Sequence, residues 1–563
     1  MAPSTLAACL PHDNHRIAHV LRRAVLYTQP ESSLTAVAAN GSRRVSEDRI
    51  PDVQTAATAG DGGDTEAQLR RAVALHQRGY LEQAAKIYDV VLAAEPQQPD
   101  ALHLLGAVDA QRGRYEQAIE RIRAAIAIAP REAQYWSNLG LALQGKGEIV
   151  EAEEAYQRSL ELDPESPDAL NNLGNVYALQ GRLEEALASY QAALVRGPKH
   201  PDALCNVGIL MRDLGRHQDA LMAFQRAVRL APHFADAHLH YATAQLLTGA
   251  LEEGWRGYEW RWRTKRLAEQ RRHFAQPRWS GGYLSGRRLL IWGEQGIAEQ
   301  VLFASVLQDI AGLDGEVVVE CAPALVPLLA RSFADFDVRP QPDRAEAGQP
   351  ENQDFDFQIP MGSLCRYFRR QLADLPGGSG YLVADSERVA ALKRRYREQA
   401  GDDLVIGIVW RRDDAPPRGA GDVPLAAWLP ILKQPGCRFL NLQQGGLTQE
   451  VSAVKRSGGI RIESDAEIDA SRDLDAYAAQ LAAVDLVITV GGSTAHLAGA
   501  LGLVPWVMVP VAPAWCWGLE GDSAPWYPTS QLFRQERPGD WVSVIARAAQ
   551  ALKRRLRDRR KAT

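Results

Sequence analysis

PDALNNLGNVYALQGRLEEALASYQAALVRGPKH, residues 167–200, decides the first half of the fold, because PDALCNVG at 201–208 begins it again. The period is 34 residues and it extends in both directions. Ala84, Ala118, Ala152, Ala186 and Ala220 fall on one column, and Pro96, Pro130, Pro164, Pro198 and Pro232 on another. Gly106, Gly140, Gly174 and Gly208 form a third column, and Tyr88, Tyr156, Tyr190 and Phe224 a fourth. These columns describe helix–turn–helix units. Small residues let paired helices approach closely, an aromatic fills the gap between neighbouring units, and Pro ends the second helix before the next begins. Five full repeats occupy 65–234, and a degenerate sixth runs from 235 to about 263.

Period and residue types together resemble the tetratricopeptide repeat, so an all-α solenoid is expected. Asn138, Asn172 and Asn206 share one phase, two residues before the Gly column. Asn is a mediocre helix former, which leaves two readings open. The three amides form a ladder along an inner groove and hydrogen-bond the backbone of a protein or peptide partner, or the column is consensus drift. The ladder reading resembles the repeat region of protein O-GlcNAc transferases. GWRGYEWRWRTK, residues 254–265, holds Trp255, Tyr258, Trp260 and Trp262, too many aromatics for an exposed surface. We read 235–284 as the sixth repeat followed by a hydrophobic joint to the next domain.

The 563 residues are 46% hydrophobic and 24% charged, too much chain for one core. About three folded units are expected. Lys plus Arg is 64 and Asp plus Glu is 69, a net charge of −5, which argues against a dedicated nucleic-acid binder. Six cysteines stand far apart with no CxxC pair, so neither a zinc site nor a disulfide framework is expected, and a reducing cytoplasm fits best. Apolar runs such as 504–511 fall well short of the roughly 20 residues needed to cross a bilayer. Residues 1–64 read by composition as a disordered or flexible extension. Arg22 and Arg23 interrupt its one apolar cluster, where a secretory signal needs an unbroken run.

From 285 the rhythm changes to strands followed by helices. RRLLIWGEQG (287–296), EVVVE (316–320) and DFDFQI (354–359) read as strands of a first half, 285–402. LVIGIVW (404–410), CRFLNLQ (437–443), DLVITV (485–490) and VPWVMVP (504–510) read as strands of a second, 403–545. Short apolar strands separated by helices imply parallel sheets covered on both faces, hence two Rossmann-like domains facing a cleft. Residues 546–563 read as a basic helix or tail. Lys553, Arg554, Arg555, Arg557, Arg559, Arg560 and Lys561 stand there against Asp558, either solvated or in peripheral contact with anionic lipid.

The densest constellation is VGGSTAHLAGALG, 490–502. A strand runs into Gly491, Gly492, Ser493 and Thr494 and a helix follows. Backbone N–H groups at such a helix start, with two glycines and two hydroxyls, suit a phosphate. WGEQGIAEQVLFAS (292–305), GIVWRR (407–412), FLNLQQGG (439–446) and DSAPWYPTSQLFRQ (522–535) accompany it. In order and spacing these segments resemble the ADP-heptose:lipopolysaccharide heptosyltransferases, in the bacterial form in which tetratricopeptide repeats precede the transferase module. The resemblance covers about residues 65–545.

That resemblance implies a GT-B fold of two Rossmann-like domains, with the acceptor mainly on the first, a nucleotide-sugar donor mainly on the second, and no catalytic metal or other cofactor. It implies that Glu299 is the general base, one methylene longer than the usual aspartate. Arg411 and Arg412 would face the donor diphosphate, Gln443 would line the nucleotide pocket, and His496 would be the family's helix histidine, in contact with donor or in packing. Two positions depart from the family: Gly491 stands where relatives usually carry Asp, and Ala298 where they carry Gly. The segment 413–421 is also less basic than in many relatives. The leading expectation is a cytoplasmic, metal-independent, inverting glycosyltransferase whose repeats recruit the acceptor. The alternative is a repeat scaffold whose transferase module is degenerate.

Overall fold

The computed structural model of the chain describes residues 65–342, 354–378, 380–412, 423–444 and 448–562. The expected extension 1–64 and the segment 413–421 lie outside the described residues. The chain divides into two compact units: residues up to 210 with 229–231 form the first, and 211–228 with 232 onward form the second.

In the first unit helices pack in pairs: α1 (Thr65–Gln77) with α2 (Leu81–Ala94), α3 (Pro99–Gln111) with α4 (Tyr115–Ile128), α5 (Ala133–Lys146) with α6 (Ile149–Leu162), and α7 (Pro167–Gln180) with α8 (Leu183–Arg196). Helix α9 (Pro201–Asp213) follows. The proline column falls two residues past the second helix of each pair, as its missing N–H requires. The glycine column meets the aromatic of its own pair. A Cβ on Gly140 would lie 2.8 Å from Tyr156, and one on Gly174 would lie 2.6 Å from Tyr190. The aromatic therefore fills space inside a repeat, which corrects the expectation that it seals the gap between neighbours. A further column escaped the sequence reading: Gly79, Gly113, Gly147, Gly181, Gly215 and Gly249 occupy the turn between paired helices with φ from 74° to 90°. Glycine enters that region at no steric cost, and the column carries the period into the sixth pair.

The second unit holds most of α10 (His217–Leu230) and the sixth pair, α11 (Ala235–Leu247) and α12 (Leu251–Tyr258). Two parallel sheets follow. The first takes β1 (Arg288–Trp292), β2 (Glu316–Cys321), β3 (Asp337–Pro340) and β4 (Phe357–Pro360) in the order β3-β2-β1-β4. The second takes β5 (Leu404–Val409), β6 (Cys437–Asn441), β7 (Ile462–Glu463), β8 (Leu486–Val490), β9 (Trp506–Val509) and β10 (Gln531–Arg534) in the order β10-β9-β8-β5-β6-β7. Both orders reverse direction in the middle, as doubly wound sheets do. Seven strands stand where apolar runs predicted them. The other three, β3, β7 and β10, lie at sheet edges, where half the backbone is unpaired and a long apolar run is not needed. The helices between strands include α13 (Ile297–Phe303), α14 (Val326–Ser332), α15 (Ser386–Ala400), α16 (Thr448–Gly458), α17 (Leu474–Ala483) and α18 (Ser493–Ala500), and α19 (Trp541–Ala562) follows the last strand.

The aromatic run after α11 is buried. Trp255 meets Trp515 at 5.0 Å and Phe303 at 6.3 Å between ring centroids, and Tyr258 and Trp262 are also buried. Arg261, with no exposed surface, grips Glu294 through two bonds of 2.8 Å. The residues beyond 545 are no tail. Val544, Ile545, Ala548, Leu552 and Leu556 of α19 belong to one core with Ile406, Ile408 and Phe439. Among the described residues Cys205, Cys321, Cys365, Cys437 and Cys516 are free thiols, and no helix is long and apolar enough to cross a membrane.

Replacing Gly140 by Ala forces the Tyr156 ring to move and is expected to cost about 1–3 kcal/mol. Hydrogen exchange in α5 and α6 should accelerate, and shrinking the ring as well (Tyr156→Leu) should recover part of the loss.

Candidate functional site

A doubly wound sheet opens a crevice at the carboxyl ends of its strands, where the strand order reverses. In the first sheet that point follows β1, and in the second it lies between β5 and β8. The segments singled out from sequence are the loops at these points. Helix α13, which carries Glu299, packs against α18, which carries Ser493, Thr494 and His496.

Glu299 sits in the first turn of α13, half-buried, and its Oε2 accepts the N–H of Gly296 at 3.3 Å. The loop before it is held in place from below. Gln295 has φ 61°, a left-handed conformation rare outside glycine, and its side-chain amide donates to the Tyr258 hydroxyl at 2.9 Å. Cys516 is buried. Burial pushes its thiol up, Glu299 adds to the rise, and Arg412 opposes it.

Arg412 also faces the glycine turn after β8. A Cβ on Gly492 would touch the Arg412 Cα at 3.8 Å, and Gly492 adopts φ 157° and ψ −168°, a region nearly confined to glycine. Gly491 has a structural counterpart for its missing side chain: a Cβ there would stand 3.3 Å from Trp517 Nε1. Trp517 in turn stacks on His496 at 5.1 Å. Ser493, half-buried, is the first residue of α18.

Several expected donor contacts are engaged elsewhere. Arg411 is ion-paired with Glu450 of α16, which also accepts the Trp410 indole N–H at 2.8 Å. Gln443 Oε1 accepts the backbone N–H groups of Arg411 at 2.7 Å and Trp410 at 3.2 Å, so this oxygen splints the end of β5. The Thr494 hydroxyl is buried against Tyr477 at 2.8 Å, and Tyr477 donates to Leu442 O at 2.9 Å, which turns Thr494 toward the core and away from a phosphate. His496 Nδ1 meets the Tyr527 hydroxyl at 3.1 Å, Tyr527 meets Tyr381 at 3.3 Å, and Tyr381 donates to Val301 O of α13 at 2.9 Å. His496 thus begins a buried polar chain that joins α18 to α13.

The asparagine column also needs correction. Asn138, Asn172 and Asn206 are only 3–5% exposed. Asn138 bonds His103, and Asn206 Nδ2 donates to both Asn171 and Asn175 at 2.9 Å. Asn175 further accepts the Tyr190 hydroxyl at 2.8 Å, and Asn171 donates to Asn172 at 3.3 Å. These amides bond neighbouring helices inside the array and do not stand open along a groove. Sequence reading also missed Trp517, Tyr527, Tyr258 and Glu450. Tyr258 carried a signal as part of the aromatic run, and Tyr527 lies within the segment 522–535 that carries the resemblance. Among the described residues no group of three or more His, Cys, Asp or Glu is placed to hold a metal ion.

The model of the cilia and flagella-associated protein 70 C-terminal domain matches residues 5–273. Protein FlbA of Caulobacter vibrioides is 34% identical over 324 residues, which cover 55% of this chain and 54% of that protein, so the chain spans about half the length of this curated relative. Among solved structures, a thermophilic TPR protein of Thermus thermophilus is 27% identical with a TM-score of 0.31, covering 33% of this chain and all of that one. PilW, a type IV pilus biogenesis factor, is 22% identical with a TM-score of 0.31, covering 35% of this chain and 91% of that one.

Asn206→Ala would strip two buried carbonyl oxygens of a donor and is expected to cost about 1–3 kcal/mol. Thermal unfolding with hydrogen exchange across α7 checks it. Unchanged stability would mean that the amide is not a structural bond.

Proposed function

We propose that this tetratricopeptide-repeat protein carries a GT-B module and acts as a metal-independent, inverting glycosyltransferase, moving a sugar from a nucleotide-sugar to a protein or peptide acceptor recruited by the repeats. The supporting observation is the packing of α13, which carries Glu299, against α18, whose leading glycine turn lies against Arg412. In this reading Glu299 takes the proton of an acceptor hydroxyl. The oxygen then attacks the anomeric carbon from the face opposite the diphosphate, and the bond from that carbon to the diphosphate oxygen breaks. Arg412 and the N–H groups opening α18 receive the charge that develops on the leaving group.

Arg411 enters this scheme only when Glu450 releases it, so the diphosphate competes with a carboxylate already in place. That same observation favours a second reading. With Arg411, Gln443 and Thr494 committed to internal bonds, the module would be a degenerate one that serves a repeat scaffold. Thermal shift across UDP, ADP and GDP separates the two: stabilisation by one of them supports the transferase, and none supports the scaffold.

Glu299→Gln is expected to lower turnover by about 10²–10⁴-fold with donor affinity nearly intact. A fully active variant would remove Glu299 from the chemistry. Arg412→Ala should weaken binding of the nucleoside diphosphate by about 1.5–3 kcal/mol and leave that of the nucleoside almost unchanged, by calorimetry. Glu450→Gln, which frees Arg411, should tighten it.

A further inference from the structure

The cations at 553–561 are the one sequence motif that the proposed reaction leaves unused. They lie on the outer face of α19, whose inner face is core. Their end of the helix stands over the start of β6. Leu556 and the Arg560 guanidinium lie 3.8 and 3.5 Å from where a Cβ on Gly436 would be, and the short helix Leu429–Leu432 packs against α19. Exposed Lys433 follows that helix and, with Arg461, lines a cavity of about 510 Å³ on the same edge of the sheet.

Most acids here are already taken. Asp485 holds Arg397 through bonds of 2.8 and 2.9 Å, and its backbone carbonyl accepts Arg555 at 3.2 Å. Glu463 holds Arg438 and Arg461, and Asp558 stands 3.8 Å from Arg557. Among the described residues no ion pair forms at Lys433, Lys553, Arg554, Arg560 or Lys561, all of them exposed, and Asp402 and Asp403 are the exposed acids nearby.

The chemistry of a partner follows from what this face lacks. Among the described residues its only large exposed apolar side chain is Val542, at the far end of α19. A protein interface is built around an apolar and aromatic centre, and single-stranded nucleic acid is held by stacking aromatics. A layer of lipid phosphates needs neither, only unpaired cations on an exposed surface. We propose that this face docks the protein on an anionic lipid bilayer. The face lies at the amino ends of β5 and β6, opposite the carboxyl ends that carry Arg411 and Arg412, so docking leaves the candidate site turned away from the lipid.

The test uses the full chain and co-sedimentation with vesicles of phosphatidylcholine alone or mixed with phosphatidylglycerol. Binding is expected only to the mixed vesicles and should weaken as salt shortens the Debye length. Changing Lys553, Arg554, Arg560 and Lys561 together to Gln should weaken it by about fivefold per charge removed, with circular dichroism unchanged. Should that variant fold poorly, the charge-preserving exchange of Lys for Arg and Arg for Lys at the same four positions should bind as the parent does. No binding to mixed vesicles at low salt would overturn the proposal. So would equal binding to neutral vesicles, undiminished binding by the Gln variant, or a preference for double-stranded DNA over lipid.

Discussion

The buried pair of Arg261 and Glu294 is the contact on which the candidate site rests. Neither side chain reaches solvent, and a buried ion pair is tolerated only when its remaining polar atoms are satisfied. Here they are: Ser363 and the Gly362 N–H complete the shell at 2.8 Å, and the Tyr258 carbonyl and Glu259 take the other guanidinium nitrogen. Burial works against the charge on Arg261, and Glu294 with Glu259 outweighs it. Removing either partner would strand the other in the interior, so the segment with Trp255 and Trp262 and the loop after β1 cannot separate cheaply. That loop is the one in which Gln295 takes its left-handed conformation and from which α13 presents Glu299.

The repeats were legible because their columns are steric facts. Gly140 is glycine because Tyr156 lies against it, and a residue forced by its neighbour recurs wherever the neighbour recurs. The central strands were legible for a similar reason, since burial on both faces selects mostly apolar residues. Three of the four edge strands were not, as in β3, where Asp337 and Arg339 are compatible with a strand yet equally with a loop.

The candidate site was legible in position and not in bonding. Arg411 and Gln443 stand after β5 and β6, as the order of segments implied, but Glu450 holds one and the backbone of β5 occupies the side-chain oxygen of the other. Nothing in a motif tells which partner reaches a side chain first. Thr494 shows the same limit: a hydroxyl at a helix start suits an anion, yet Tyr477 lies 2.8 Å away. The asparagines show it most clearly. Their recurrence was visible, but whether their amides meet a guest or each other depends on how closely the helices approach.

The apolar stripe of α19 bears on how the protein is made. Strands β5 and β6 share a core with Val544, Ile545 and Leu552, so the sheet has no complete interior until this helix leaves the ribosome. Until then Ile406, Ile408 and Phe439 are only partly covered on a nascent chain, the condition under which sheets aggregate or engage chaperones. The same helix therefore sets the time at which the second sheet finishes folding, and a stop codon a few turns early would yield a chain whose strands are all present and whose core is open.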